Sequence, residues 1–264
     1  MITSRDNPLA KHARAVRDGK DKEVIFVEGV RLCEEAVRAG IIIEDVLFTE
    51  RLNQDERGKQ LLQSLTSVSR RTTLLGEQVL ASVADTKTPQ GVVVLARRPR
   101  TGVKELESRV SAPPLLLIMH RINNPSNAGA ILRTAEAAGA TGAVTTAGST
   151  DIFSPKALRG SMGSAFRLPL WTGADYAQLL AWCAQKGIRT VCADARATLS
   201  YTEMDWTVPR ALVVGPEARG LTQDEALAAD DRIRIPMRAP VESLNVAAAS
   251  AVILYEAARQ RSKQ

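Results

Sequence analysis

The sequence predicts an α/β protein: a small α/β layer domain followed by a doubly wound parallel sheet. Two observations carry that prediction. Short β-branched or all-apolar runs alternate with helix-like segments along most of the 264 residues, the pattern of strand–helix–strand units. The second half also opens on Leu115-Leu-Leu-Ile-Met119, a run of the kind found in parallel sheets covered on both faces. Between the halves, Arg97-Arg-Pro-Arg100, Gly102 and Pro113-Pro114 change the character of the chain, so few buried contacts are expected to cross there. The expected organisation is a first domain over 1–97, a linker over 98–114 and a second domain over 115–264.

In order, a basic opening precedes a strand at Glu23–Glu28, a helix at Arg31–Ala39 stopped by Gly40, and a strand at Ile41–Phe48. Gln60–Leu65 reads as helical, Val79–Ala84 as a short helix or turn, and Gly91–Ala96 as a β-branched strand. A weak helix, Val103–Arg109, lies in the linker. Beyond Leu115–Met119 come a helix at Ala128–Ala138 and strands at Gly142–Thr146, Arg189–Ala193, Arg210–Val214 and Arg232–Ile235. Helices at Ser154–Gly160, Asp175–Lys186 and Leu244–Arg261 separate them.

Lys plus Arg total 35 against 29 for Asp plus Glu, and the formal charge of +6 favours anionic partners. No apolar run approaches the ~20 residues of a membrane span. Cys33, Cys183 and Cys192 are odd in number and form no C-x-x-C pair, which argues against a disulfide framework and a zinc site. A reducing, cytoplasmic setting is expected, with no metal and no membrane. Asp6, Asp18 and Asp21 in the basic opening speak against a transit peptide.

Three segments can carry chemistry. NNPSNAGAILRTAEAAGA (123–140) follows a buried strand; Ser126 or Asn127 can cap the helix, its first turn is bare of bulk, and Arg133 emerges beyond it. It matches neither a dinucleotide fingerprint nor a Walker loop. LVVGPEARGL (212–221) breaks a strand into a glycine-containing loop bearing Glu217 and Arg219. In 233–256, Pro236 and Pro240 hold an extended loop, after which Ser243 or Asn245 can cap an alanine-rich helix. Each taken alone also suits an ordinary turn or a buried helix.

In this order, NPSNAGAILRTAEAAGA, LVVGPEARGL and IPMRAPVESLNVAAASAVILYE resemble the three motifs of the SpoU (TrmH) family of SPOUT methyltransferases. SRDNPLAKHARAV, FVEGVRLCEEAVRAG and TKTPQGVVVLA in the first domain resemble the L30e-like RNA-binding extension of members that act on ribosomal RNA. The resemblance implies a trefoil-knotted second domain that forms a homodimer, binds S-adenosylmethionine and methylates a ribose 2′-hydroxyl of RNA. It implies that Gly215, Ile235 and Leu244 line the cofactor mainly through backbone, beside Val214, Pro236, Asn245 and Ala247. Asn127, Arg133, Glu217, Ser243 and Asn245 match the family's polar active-site positions.

Departures from the family pattern are His120 and Asn124, where acids are frequent, and Pro216, where many relatives carry Asn or Ser. His120 suits either a base or a polar strand end. Ribosomal RNA is the expected substrate, with tRNA and a non-catalytic RNA-binding role as alternatives. A nucleotide hydrolase fits less well: the chain lacks G-x-S-x-G and offers only His12 and His120.

Overall fold

The computed structural model describes residues 1–109, 113–216 and 220–262. The chain forms two compact units, Met1–Pro99 with Ile152–Arg167, and Arg100–Asp151 with Leu168–Gln264.

The first unit runs α1 (Pro8–Arg17), β1 (Val24–Glu28), α2 (Val30–Arg38), β2 (Ile43–Phe48), α3 (Glu56–Val68), β3 (Arg71–Leu74), α4 (Glu77–Val83) and β4 (Val92–Arg97). Its sheet has the order β1-β4-β2-β3, with β2 and β3 parallel and the other pairs antiparallel. The basic opening turns out to be helical: Asn7 accepts the Leu9 amide at 2.9 Å, Pro8 fills the first turn, and Ala10, Ala13 and Val16 are buried. Charged residues between those small apolar positions mask the spacing in the sequence. β3 escapes a sequence reading because Arg-Thr-Thr-Leu at a sheet edge shows no apolar alternation.

The second unit contains α5 (Val103–Arg109), β5 (Leu115–Met119), α6 (Pro125–Ala137) and β6 (Gly142–Thr146). The chain then supplies α7 (Pro155–Ser161) and α8 (Ser164–Arg167) to the first unit. It returns with β7 (Leu170–Ala174), α9 (Tyr176–Gln185), β8 (Arg189–Ala193), β9 (Leu199–Ser200), β10 (Arg210–Val214), α10 (Gln223–Leu227), β11 (Asp231–Arg234) and α11 (Val246–Arg261). The seven strands are ordered β7-β6-β5-β10-β8-β11-β9, and every pairing is parallel.

Two expectations about domain limits are corrected. The break falls at Pro99/Arg100, and α5 belongs to the second unit: Leu106 is fully buried there and Gly102 donates to the Leu170 carbonyl at 2.9 Å. The 154–160 helix, expected within the second domain, packs on β1 instead. Arg159 pairs with Asp85 at 2.6 Å, Arg167 pairs with Glu35, and Ala157, Leu158 and Phe166 are buried.

The central strands β5 and β10 pair from Arg210 opposite Leu115 to Val214 opposite Met119. Leu116, Ile118, Ala211 and Val213 share one core cluster with Leu106, Leu179, Cys183 and Ala226 from α5, α9 and α10. The alternate residues Leu115, Leu117, Met119 and Leu212 are equally buried, while α6 packs on β6 and α11 on α6. Burial on both faces is why these strands read as continuous apolar runs. β10 enters between β5 and β8, and β11 between β8 and β9, so the last strands fill a gap that earlier ones leave open. The carboxyl ends beside that switch in strand order are where ligands bind in open α/β sheets.

In the first unit, a Cβ at Gly58 would fall on the Leu52 carbonyl oxygen of the 3-10 turn Glu50–Gln54. Helix propensity alone favours alanine by ~1 kcal/mol, whereas a backbone clash of this kind costs ~1–3 kcal/mol or more. Gly58→Ala is therefore expected to lower the melting temperature by several degrees; an unchanged or raised value would show that the turn gives way freely.

Candidate active site

Three loops leave the carboxyl ends of β5, β10 and β11. After β5 the chain turns through His120–Asn124 into α6. Asn124 caps that helix, accepting the Ser126 amide at 2.9 Å and the Asn127 amide at 3.4 Å, with Pro125 in the first turn. The cap is therefore neither Ser126 nor Asn127, and the helix starts three residues before the expected Ala128 because proline's fixed φ suits a first turn. Ala128 and Gly129 are buried, while Arg133 is exposed and has no hydrogen-bond or ion-pair partner among the described residues.

After β10 the loop doubles back tightly. A Cβ on Gly215 would lie 2.8 Å from both the Leu221 amide nitrogen and its side chain, and Gly220 donates to the Pro216 carbonyl at 3.0 Å. Gly215 is thus required by the loop's own return path. Glu217 lies outside the described residues.

After β11, Ile235–Leu244 lead to α11, which Asn245 caps by accepting the Ala247 amide at 2.9 Å and the Ala248 amide at 3.4 Å. Ser243 is not the cap. The Asn245 side-chain amide also donates to the Asn127 side-chain carbonyl at 3.4 Å, tying the first turns of α6 and α11 together. Small residues in those turns permit this approach.

A cavity of about 180 Å³ opens at the carboxyl ends of β8, β10 and β11. Of the expected cofactor residues, Val214, Gly215, Ile235 and Leu244 line it, and Ser243 joins them; Pro236, Asn245 and Ala247 do not. Arg133 and Asn127 also stand outside its lining. Met237 and Ile253 of the third motif also line it, as do Ala193–Ala195 at the end of β8, which a reading built on the three motifs misses because the β8 end carries no motif. Apart from Asp194, Arg234 and Ser243, the walls are small or apolar residues. That surface fits a flat heteroaromatic ring with polar edges, as in an adenosyl group. Asp194 is the acid on the lining; burial raises its carboxyl, and hydrogen bonds from Arg196 bring it below the usual aspartate range.

Behind this wall, His120 is buried with both ring nitrogens engaged: Nδ1 lies 3.1 Å from the Thr146 hydroxyl and Nε2 3.1 Å from Glu225 Oε1. Arg121 Nη1 donates to the same carboxylate oxygen at 2.7 Å, and the Thr222 amide donates to the other at 2.9 Å. Burial pushes the Glu225 carboxyl up, but the Thr222 amide and hydroxyl and the His120 ring outweigh it and bring it down to about 2. The Thr-x-x-Glu spacing of this capping box is visible in the sequence. The His120 partnership is not, because it joins residues far apart in the chain. His120 is accordingly a bonded strand-end residue. Cys183 and Cys192 are buried, which pushes their thiols up to about 12 and leaves neither poised as a nucleophile. Among the described residues, no cluster could hold a metal ion, and no helix is long and apolar enough to cross a membrane.

Because Glu225 ionises more readily folded than unfolded, its stabilisation is fully present above the ordinary value of 4.5 and is lost as pH falls toward about 2. Glu225→Gln removes that titration. The gap in melting temperature between the wild type and this variant is expected to narrow as pH drops below the ordinary glutamate range; a gap independent of pH would refute the assignment.

Residues 114–255 match the model of the SpoU rRNA Methylase family, and residues 9–94 match that of the MRM3-like substrate binding domain. An uncharacterized tRNA/rRNA methyltransferase of Synechocystis is 33% identical, with 98% of this chain and 94% of the relative aligned. The 23S rRNA (guanosine-2′-O-)-methyltransferase RlmB of Ralstonia nicotianae is 31% identical over 83% of this chain and 88% of its own length. Among solved structures, the SpoU methyltransferase AviRb of Streptomyces viridochromogenes in complex with the cofactor AdoMet superposes with a TM-score of 0.87. It is 26% identical and is covered to 98%, against 97% of this chain. With a family model spanning the whole cavity and relatives aligned along nearly its full length, the chain belongs to the SpoU rRNA methylase family.

Proposed function

We propose that this protein methylates a ribose 2′-hydroxyl in ribosomal RNA with S-adenosylmethionine as donor. The observation that carries the reading is the convergence of all three motif loops at one sheet edge, where Gly215, Ile235 and Leu244 line a single cavity and Asn245 bonds Asn127 at its side. The likeness to a 23S rRNA ribose methyltransferase, together with a substrate-binding domain matched over residues 9–94, favours ribosomal RNA over tRNA.

In the cavity, Val214, Gly215, Ile235 and Leu244 hold the cofactor through backbone and apolar contact, with Pro236 and Ala247 shaping the approach. When bound, the cofactor's sulfonium supplies the methyl group, which passes to the ribose oxygen as the carbon–sulfur bond breaks and the hydroxyl proton leaves. Such an in-line displacement depends chiefly on alignment. Asn127 and Asn245 orient the ribose, with Ser243 and Glu217 completing the polar side of the site. A guanidinium with a pKa above ~12 is a poor base, so Arg133 acts as a phosphate clamp that places the 2′-hydroxyl. Its exposure and lack of partners among the described residues suit that task.

The same reading takes in a knotted passage of the chain into α11 and a homodimer through the second unit, each supplying Arg133 to the other's site. Exposed Val252 and Tyr255 on α11, with Leu244 before it, offer an apolar face for such pairing. The cytoplasm, where buried thiols stay reduced, is the compartment assigned.

Mapping 2′-O-methyl positions in total RNA with and without the protein tests the function. Protein-dependent methylation of a ribosomal RNA ribose is expected, a base methyl would displace the reaction, and a methyl confined to tRNA would displace the substrate. Arg133→Ala is expected to cut turnover by about a hundredfold or more, the scale of losing a transition-state contact, while cofactor affinity stays within about twofold. A loss of cofactor binding instead would move Arg133 to the other half of the site. Light scattering is expected to give twice the chain mass of 28.5 kDa; a monomer at micromolar concentration would remove the shared-site arrangement.

A further inference from the structure

His120 is 4% exposed, and no step of the proposed reaction uses it. An ionised Glu225 can only accept, so His120 Nε2 carries the proton toward it, and Nδ1 lies 3.1 Å from the Thr146 hydroxyl. That hydroxyl in turn accepts the Arg121 amide at 3.1 Å. Arg121 takes a left-handed backbone, φ 53°, unfavourable for a side chain of its size. In that conformation its amide reaches Thr146 and its guanidinium reaches Glu225. Tyr176 closes the cluster, its ring 4.3 Å from that of His120 and its hydroxyl donating to the Glu225 carbonyl at 3.1 Å.

Through Thr222, Glu225 is tied to the loop that lines the cofactor cavity. Its second oxygen holds the Thr222 amide, the preceding Leu221 closes over Gly215, and Gly220, Pro216 and Gly215 line the cavity. A displacement of Glu225 is therefore transmitted within a few residues to that wall. The resemblance leads one to expect an acid at position 120. A carboxylate there would face Glu225 across a hydrogen-bond distance and be repelled, so His120 and Glu225 form a matched pair.

We propose that His120, Arg121 and Glu225 are positioning residues that fix the Gly215–Pro216 and Gly220 wall of the cavity, and thereby set the affinity for S-adenosylmethionine from behind it. The inference rests on the cofactor reading of that cavity. Glu225→Gln is a sharp probe: a carboxamide must turn its NH2 either toward the Thr222 amide or toward His120 and Arg121, and all three are donors.

The test is calorimetric titration of the full-length protein with S-adenosylmethionine, alongside steady-state kinetics and melting temperature. Glu225→Gln and His120→Phe are each expected to weaken cofactor binding about tenfold, the scale of losing one hydrogen bond to a charged group. KM for the cofactor should rise while kcat and KM for RNA stay within about twofold. The double variant should be no weaker than the worse single one, because each breaks the same pair. Arg121→Gly keeps the fold available should the buried variants fail, since glycine is at ease at positive φ; a loss of about threefold is expected, as for an exposed ion pair. Cofactor affinity unchanged in Arg121→Gly and in whichever buried variants fold would overturn the proposal, as would equal losses for cofactor and RNA. Absence of cofactor binding by the wild type would instead remove the functional reading beneath it.

Discussion

The last rung of the β5–β10 pairing, where the His120 amide donates to the Val214 carbonyl at 2.9 Å, is the contact on which the site depends. It brings the turn that leads to Asn124 and α6 beside the turn that begins at Gly215, although the two are almost a hundred positions apart in the chain. Both strands are buried on both faces, so their register is held by packing above and below. A slip of one residue would invert every side chain in β10 and withdraw Gly215 from the only kind of path its loop can take past Leu221.

From that rung the site divides into two halves with different physics. The cavity half is backbone and apolar side chain, shaped by where a Cβ cannot be. The exposed half is the pair of helix starts joined by Asn127 and Asn245, with Arg133 out in solvent. On the proposed reading, the cavity half takes a small ligand and can be rigid, while the exposed half meets a polyanion, for which charge at the surface matters more than enclosure. Glu225 sits where the halves meet, since one of its oxygens answers to the His120 turn and the other to the Thr222 turn.

The α/β class, the central strands and five of the cavity residues were legible in the sequence because burial on both faces writes itself as unbroken apolar runs and the loops carry motifs. The legible part ended where structure is made by pairing across distance. β3 and β7 are edge strands with polar or glycine-containing sequences, so neither periodicity nor composition marks them. Asp194 lines the cavity only because β8 lies beside both β10 and β11, and His120 is explained only by a glutamate on α10. Asn124 with Pro125 begins α6 earlier than apolar spacing alone suggests, and the helix opened by Asn7 and Pro8 is hidden by its interleaved charges.

The excursion of α7 and α8 into the first unit changes what a domain means in this chain. The polypeptide crosses between the units at 99/100, 151/152 and 167/168, so they are stitched by three covalent threads. A fragment cut after the expected linker would lose the helix that packs on β1 and strand Asp85 and Glu35 without Arg159 and Arg167. The complementary fragment would carry Leu158 and Phe166 with nothing to bury them. Recombination that exchanged one half for a relative's would have to replace a short internal cassette together with the amino-terminal part, which ties the history of the first unit to that of the second.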